Sequence, residues 1–282
     1  MRGESITFGA ISIVNGIPNG IGAAAGIKLK VHVKAETIED NIVKSSIKIN
    51  DNIAVDDKLI KAAFNVLKNT FNIQNGLYLD IISEIPISRG LKSSSAVANA
   101  IIDASLKALG IKLRKIDIIK LGIKAAIDAG VTITGAFDDA CASMFGGVHI
   151  TDNLSLKILT SYDIEETKVI IFVPTQHTPK ALINKESLKK VSHLMNIPIT
   201  LALEKHWLEA LTINGLIISM PLQINIKPIW DALNSGAKAA GITGTGPAIV
   251  AITDDPDTII SIWEKYEGKI IITETRRLNY ES

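Results

Sequence analysis

Cysteine is almost absent from this chain. Cys141 stands alone among 282 residues, so no intramolecular disulfide can form, which suits a reducing compartment. Aromatic residues are scarce at 5%, so the core must be aliphatic, and the 47% of hydrophobic residues can fill one without covalent staples. Charge of one sign is also missing. Thirty Lys and Arg against twenty-nine Asp and Glu leave a net charge of +1, which excludes the global basic field of a nucleic-acid or anionic-membrane binder. Long apolar runs are lacking. The stretch "VIIFV" at 169–173 has the length of a strand, far below the roughly 20 residues that cross a bilayer. The first residues, "MRGESITFGAISIVNGIPNG", are interrupted by Gly, Asn and Pro and hold no signal-peptide core. The expectation is a soluble, cytoplasmic protein without nucleic-acid or membrane partners.

Hydrophobic periodicity gives the organisation. Alternation predicts strands over 5–15, 27–37, 42–49 and 76–86, and helical spacing predicts a helix over 56–71 with Asp56 or Asp57 as cap. Helices follow over 94–109, closing at Gly110, and over 115–129, ending before Gly130. In the second half, "LSLKILTS" and "TKVIIFVP" read as strands and 180–195 and 199–214 as helices. Residues 226–241 read as one helix or two short ones. A strand at 247–253, the helix "PDTIISIWEKY" and the strand "GKIIITETR" close the chain. Mixed sheets with helices predict an α+β fold in two layers. The expected domains are 1–152 and 153–282.

Three loops carry the chemistry. The first is "PISRGLKSSSA" at 86–96, between a strand and a helix start. Helix N-termini present unpaired N–H groups and a partial positive charge that suit a phosphate. Hydroxyls beyond the cap can donate to phosphate oxygens or hold Mg²⁺, a hard cation. No G-x-x-x-x-G-K-[ST] pattern occurs, so this is not a P-loop, and no G-x-G-x-x-G directly follows a strand. The second loop, "TITGAFDDACASMFGG" at 132–147, sets two adjacent aspartates among small residues. A carboxylate in such a crevice is a candidate base or metal ligand. The third, "GITGTGPAIVAI" at 241–252, flanks Thr245 with glycines and offers a backbone nest for an anion.

Together, in this order, these segments resemble the signatures of the galactokinase–homoserine kinase–mevalonate kinase–phosphomevalonate kinase (GHMP) superfamily. "PISRGLKSSSA" is similar to its P-x-x-x-G-L-G-S-S-A loop, "TGAFDDA" to its S-G-x-D segment and "GITGTGPA" to its third motif. "AISIVNGIPNGIGAAAGI" stands in place of the first, substrate-side motif. One departure is informative: Lys92 replaces a loop glycine. With "VTITGAFDDA", that variant resembles the archaeal-type shikimate kinases.

The resemblance implies a two-domain GHMP-kinase fold, with a ribosomal-protein-S5-domain-2-like N-terminal half and a ferredoxin-like C-terminal half. It implies transfer of the ATP γ-phosphoryl group to shikimate, giving shikimate 3-phosphate on the route to chorismate and aromatic amino acids. The alternatives are another alcohol acceptor, homoserine or mevalonate, and an inactive nucleotide-binding regulator. By resemblance, ATP phosphates are cradled by Pro86, Ile87, Ser88, Arg89, Gly90, Leu91, Lys92, Ser93, Ser94, Ser95 and Ala96. Ser94 ligates Mg²⁺, and Asp138 is the catalytic carboxylate, with Asp139 as runner-up. Asp128 is the nearest acid to the place of the second metal ligand. A carboxylate substrate with several hydroxyls calls for a cation and polar groups. Arg276, Arg277, Arg89 and Lys92 are the candidate cations. Asn15 is the candidate hydroxyl reader, Thr245 is a further substrate-binding candidate, and His177 and Thr178 can border the cleft. His32, alternating within a strand, reads as structural, and the histidines lack metal-ligand spacing.

Overall fold

The computed structural model describes residues 1–49, 52–53, 57–86, 93–132, 135–175 and 185–280. Two β-sheets organise these residues. The first runs in the order β4 (Asn52–Ile53), β3 (Val43–Ile49), β5 (Gly76–Ser83), β2 (Ile21–Ile38), β6 (Val148–Asp152), β7 (Lys157–Tyr162), and β1 (Arg2–Val14) also pairs with β2. All its pairs are antiparallel except β3 with β5. The second is antiparallel throughout, in the order β11 (Gly268–Glu274), β8 (Lys168–Pro174), β10 (Ile249–Thr253), β9 (Ala239–Ile242). The first sheet continues through β7 to Tyr162 and the second begins with β8 at Lys168.

Helices α1 (Lys58–Phe71), α2 (Ser93–Ala108), α3 (Lys115–Asp128) and α4 (Phe137–Phe145) cover the first sheet. Helix α2 lies between the sheet and its neighbours, and most of its residues are buried on every side. Its Ala-rich sequence follows from that position, because small side chains permit close approach. A Cβ on Gly3 would sit 2.2 Å from the Ala104 carbonyl oxygen. The second half adds α5 (Lys185–Lys189), α6 (Asn196–Leu203), α7 (Trp207–Leu222), α8 (Lys227–Asn234) and α9 (Pro256–Trp263). One aliphatic core runs through both halves, from Ile11, Ile27 and Ile101 to Leu211, Ile218 and Val250.

Four expectations are corrected. The glycine-rich segment after residue 20 is the first part of β2, fully in the ladder. Its small residues are required because a Cβ on Gly26 would lie 2.8 Å from both the Ala142 carbonyl oxygen and the Gly146 Cα. Residues 239–242, expected within a helix, form β9, since pairing with β10 and burial override alanine's helix preference. The helix expected over 199–214 is two, α6 and α7, separated near Lys205, which has φ 71°. The described part of the segment expected as a helix over 180–195 is helical only at Lys185–Lys189.

Candidate active site

The chain enters α4 through two left-handed residues, Gly135 (φ 83°) and Ala136 (φ 47°). That turn delivers Asp138 and Asp139 to the first helical turn, where the helix dipole favours carboxylates. Both are buried, at 3% and 1% exposure, as expected for an acid in a crevice. The Asp138 backbone N–H donates to Asn153 Oδ1 at 3.1 Å, and Asn153 Nδ2 donates to Asp138 Oδ1 at 3.0 Å. Thr151 Oγ1 donates to Asn153 Oδ1 at 2.9 Å, and the Asn153 N–H donates to the Gly20 carbonyl at 2.9 Å.

The first-motif loop closes over this pair. Gly16 and Gly22 stand so near that a Cβ on Gly16 would lie 2.5 Å from Asn153 Nδ2, and one on Gly22 would lie 2.6 Å from Asp138 Oδ2. These glycines are needed for close approach, and the first motif is therefore part of the wall around Asp138. Burial, then the charges of Asp138 and Asp139, push the neighbouring Cys141 thiol well up, so it stays protonated and is no nucleophile.

The third motif docks on the first. Asn15 Nδ2 donates to the Gly244 carbonyl at 2.8 Å, the Asn15 N–H donates to Asn214 Oδ1 at 2.9 Å, and the Ser12 N–H donates to Thr243 Oγ1 at 2.9 Å. Gly244 and Gly246 are both left-handed, at φ 64° and 67°, and Thr245 between them is half-buried. The first and third motifs are thus brought together. Asn15 spends its amide on the protein itself: Oδ1 accepts the Ile17 N–H at 2.9 Å.

The start of α2 approaches from the other side. Ser93 and Ser94 are half-buried at the helix mouth, Ser95 and Ala96 are buried, and Thr7 Oγ1 donates to the Ala96 carbonyl at 2.7 Å. Asn99 Nδ2 donates to the Ala140 carbonyl at 2.9 Å, so the second turn of α2 touches the first turn of α4. Pro86 is half-buried after β5. Ile87, Ser88, Arg89, Gly90, Leu91 and Lys92 of the expected phosphate loop lie outside the described residues, as do His177 and Thr178. Asp128 is exposed at the C-terminal end of α3. Among the described residues no three His, Cys, Asp or Glu side chains gather into a metal cage.

The arginines go elsewhere. Arg276 Nη1 and Nη2 donate to the Ser143 and Met144 carbonyls at 3.1 and 2.9 Å, and its guanidinium lies 4.1 Å from the Phe8 ring centre. It closes the C-terminal end of α4, and burial brings its pKa down to about 10. Arg277 is exposed and pairs with Asp163 at 2.8 Å. Both arginines sit at the end of α4 opposite Asp138. His32 pairs with Glu4 on the open sheet face, a structural place. Asn153 was missed from sequence, where nothing distinguishes "TDN" from an ordinary turn.

With this geometry in place, likeness to known proteins has a structural meaning. Residues 58–147 match the GHMP kinases N terminal domain and residues 207–270 match the GHMP kinases C terminal family model. A shikimate kinase of Pyrococcus furiosus is 41% identical over 276 residues, covering 98% of this chain and 100% of the relative. A shikimate kinase of Methanothrix thermoacetophila is 36% identical over 273 residues, covering 96% and 93%. Among solved structures, the Methanococcus jannaschii mevalonate kinase superposes with a TM-score of 0.79 at 16% identity, covering 98% of this chain and 99% of that one. The homoserine kinase from Cytophaga hutchinsonii gives 0.76 at 15% identity, covering 99% and 97%. The chain belongs to the GHMP kinase family and is an ATP-dependent phosphotransferase. Its fold is the α+β GHMP-kinase fold, and no described helix is long and apolar enough to cross a membrane.

Proposed function

We propose that this protein is a shikimate kinase that uses Mg²⁺ with ATP, and that Asp138 faces the attacking hydroxyl. The observation that carries the substrate is the end-to-end identity with the Pyrococcus furiosus shikimate kinase. The observation that carries the role of Asp138 is its burial at the start of α4 beneath the first-motif glycines.

Phosphoryl transfer needs positioning and charge neutralisation more than covalent chemistry. The start of α2, with Ser93, Ser94 and Ser95, supplies N–H groups, hydroxyls and a favourable dipole to the ATP phosphates. The donors there are hard oxygens open at the helix mouth, a set that fits Mg²⁺, which keeps waters and phosphate oxygens in its shell. Ser94 would hold the ion, and Asp128, exposed at the C-terminal end of α3, is the acid proposed as its second protein ligand. The ion would neutralise charge on the transferring group.

Asp138 aligns the shikimate hydroxyl and accepts its proton. The hydroxyl oxygen forms a bond to the γ-phosphorus as the bond from that phosphorus to the bridging oxygen breaks, leaving ADP. The third motif, with Thr245, borders the acceptor side through its contacts with Asn15.

The test is ADP release from Mg·ATP with shikimate, homoserine and mevalonate offered separately. Shikimate-dependent turnover alone is expected. Turnover with another alcohol alone overturns the substrate, and ATP binding without turnover favours a nucleotide-binding regulator.

A further inference from the structure

We propose that Asn153, in the turn after β6, is a positioning residue that sets the rotation of the Asp138 carboxylate through its side-chain amide. The inference rests on the reading of Asp138 as the group facing the acceptor hydroxyl. It adds a residue that lies in none of the three chemical loops.

The amide is fixed at both ends. A backbone N–H only donates, so the Asn153 atom that receives the Asp138 N–H at 3.1 Å must be the oxygen. The nitrogen is then the atom 3.0 Å from Asp138 Oδ1 and donates to it. Thr151 Oγ1 adds a second hydrogen bond to the amide oxygen at 2.9 Å. The Asn153 main chain is held in turn by the Gly20 carbonyl at 2.9 Å. The side chain is 3% exposed, and the Gly16 and Gly22 Cα atoms wall it in, since a Cβ on either would fall within 2.7 Å of Nδ2. One amide therefore reads the backbone and the carboxylate of the same aspartate, a two-point contact that leaves that carboxylate little freedom to turn.

The choice of a neutral donor has a chemical consequence. A lysine or arginine here would also orient the carboxylate, but its charge would favour the ionised form and weaken the base. An amide orients without cancelling the charge that receives the hydroxyl proton. Near-attack geometry is sensitive to such placement, and a shift of about 1 Å at a reacting group costs about 10²-fold in rate.

The test is kcat, and KM for ATP and for shikimate, between about pH 5 and 9. It compares wild type, Asn153→Ala, Asn153→Asp and Thr151→Val, each with its melting temperature. Asn153→Ala should lose about 10²-fold in kcat with KM for ATP within about twofold. Asn153→Asp keeps the shape but sets a second carboxylate beside Asp138. Like charges raise the pKa of such a pair, so activity should be lost as pH falls through a higher value, moving the acid limb up by about one unit or more. Thr151→Val removes one hydroxyl and should lower kcat several-fold with the limb unmoved.

A purely structural role predicts lower melting temperatures with kcat per folded molecule and the acid limb unchanged, and that result overturns the proposal. Should the Asn153 variants fail to fold, an unchanged kcat in folded Thr151→Val overturns it equally. Wild-type enzyme measured alongside separates the two readings. Turnover of a different alcohol by wild type removes shikimate as substrate, and the Asn153 expectations are then scored on that alcohol.

Discussion

Replacing Gly22 by alanine should disable the site while leaving the fold standing. Gly22 lies in β2 with its backbone outside the left-handed region, so alanine meets no backbone strain. The added methyl would sit 2.6 Å from Asp138 Oδ2 and 2.7 Å from both Asp138 Cγ and Asn153 Nδ2. Ordinary contact begins near 3.4 Å, so the carboxylate must retreat by about 0.8 Å, close to the displacement that costs about 10²-fold in rate. That is about 2.7 kcal/mol of activation free energy. Overpacking at a single site costs about 1–3 kcal/mol of stability, which a domain of ordinary stability survives. The assay is steady-state ADP release, with nucleotide affinity measured separately: kcat should fall by one to two orders of magnitude, with ATP affinity held. Gly26→Ala is the control. Four residues along the same strand, its methyl would meet backbone at the far end of α4, so it should lower the melting temperature and spare kcat of the folded enzyme. A Gly22→Ala enzyme with wild-type kcat would refute the placement of Asp138 against the first motif.

Asp138→Asn should lower kcat by about 10²–10⁴-fold with ATP binding kept, since it removes the proposed proton acceptor; near-normal turnover would move the role elsewhere. Ser94→Ala should raise the Mg²⁺ concentration needed for half-maximal rate, read from an Mg²⁺ titration at fixed ATP. Arg277→Ala should change stability by less than about 1 kcal/mol, as expected for an exposed ion pair, and leave KM for the acceptor within about twofold; a tenfold rise would put Arg277 back in the substrate pocket. His149 gives a pH dependence. Its Nε2–H donates to the Gly146 carbonyl and its Nδ1 accepts from Ser161, both at 2.7 Å. Burial, with Arg276 adding to it, brings the pKa from 6.5 down to about 4 against the opposing Gly146 hydrogen bond. The unfolded chain then binds a proton that the native state refuses. This contribution is complete above about pH 6.5 and is lost as pH falls toward 4, about 3 kcal/mol in all. Urea unfolding from pH 7 to 4 should show His149→Gln losing less stability than wild type.

Much of the fold was legible because its elements obey simple periods. Helix α1 buries Ile60, Ala63, Phe64 and Leu67 on one face, the spacing that an amphipathic helix writes into sequence. The turns after α2 and α3 were marked by Gly110 and Gly130, both left-handed. The misreadings share a cause. The start of β2 and β9 are apolar or small on every side because they are packed on every side, and α7, buried on one face only, carries apolar Leu216 and Met220 on its exposed face as well, so no period survives in their sequences. Alanine in "AKAAG" then reads as helix by propensity, and only strand pairing decides otherwise.

The site divides along a different line. Sequence reading looks for charge, and the charged candidates are dispersed: Asp138 lies buried at the start of α4, Arg276 stands at the opposite end of that helix, Arg277 pairs with Asp163 on the surface, and Asp128 is exposed at the end of α3. Among the described residues, neutral groups join the first motif to the third and to α4. Asn15 reaches Gly244 and Asn214 across 229 and 199 residues of sequence, Thr243 takes the Ser12 N–H, and Asn153 grips Asp138. Physics favours this division. A buried amide or hydroxyl satisfied by hydrogen bonds costs far less to desolvate than a buried ion, and it can both donate and accept, as Asn15 and Asn153 each do. On the proposed role of Asp138, an amide partner such as Asn153 orients the carboxylate without adding a charge beside it. The same economy hides such amides from the sequence, because an asparagine in a turn announces nothing until the partner fifteen or two hundred residues away has been folded against it.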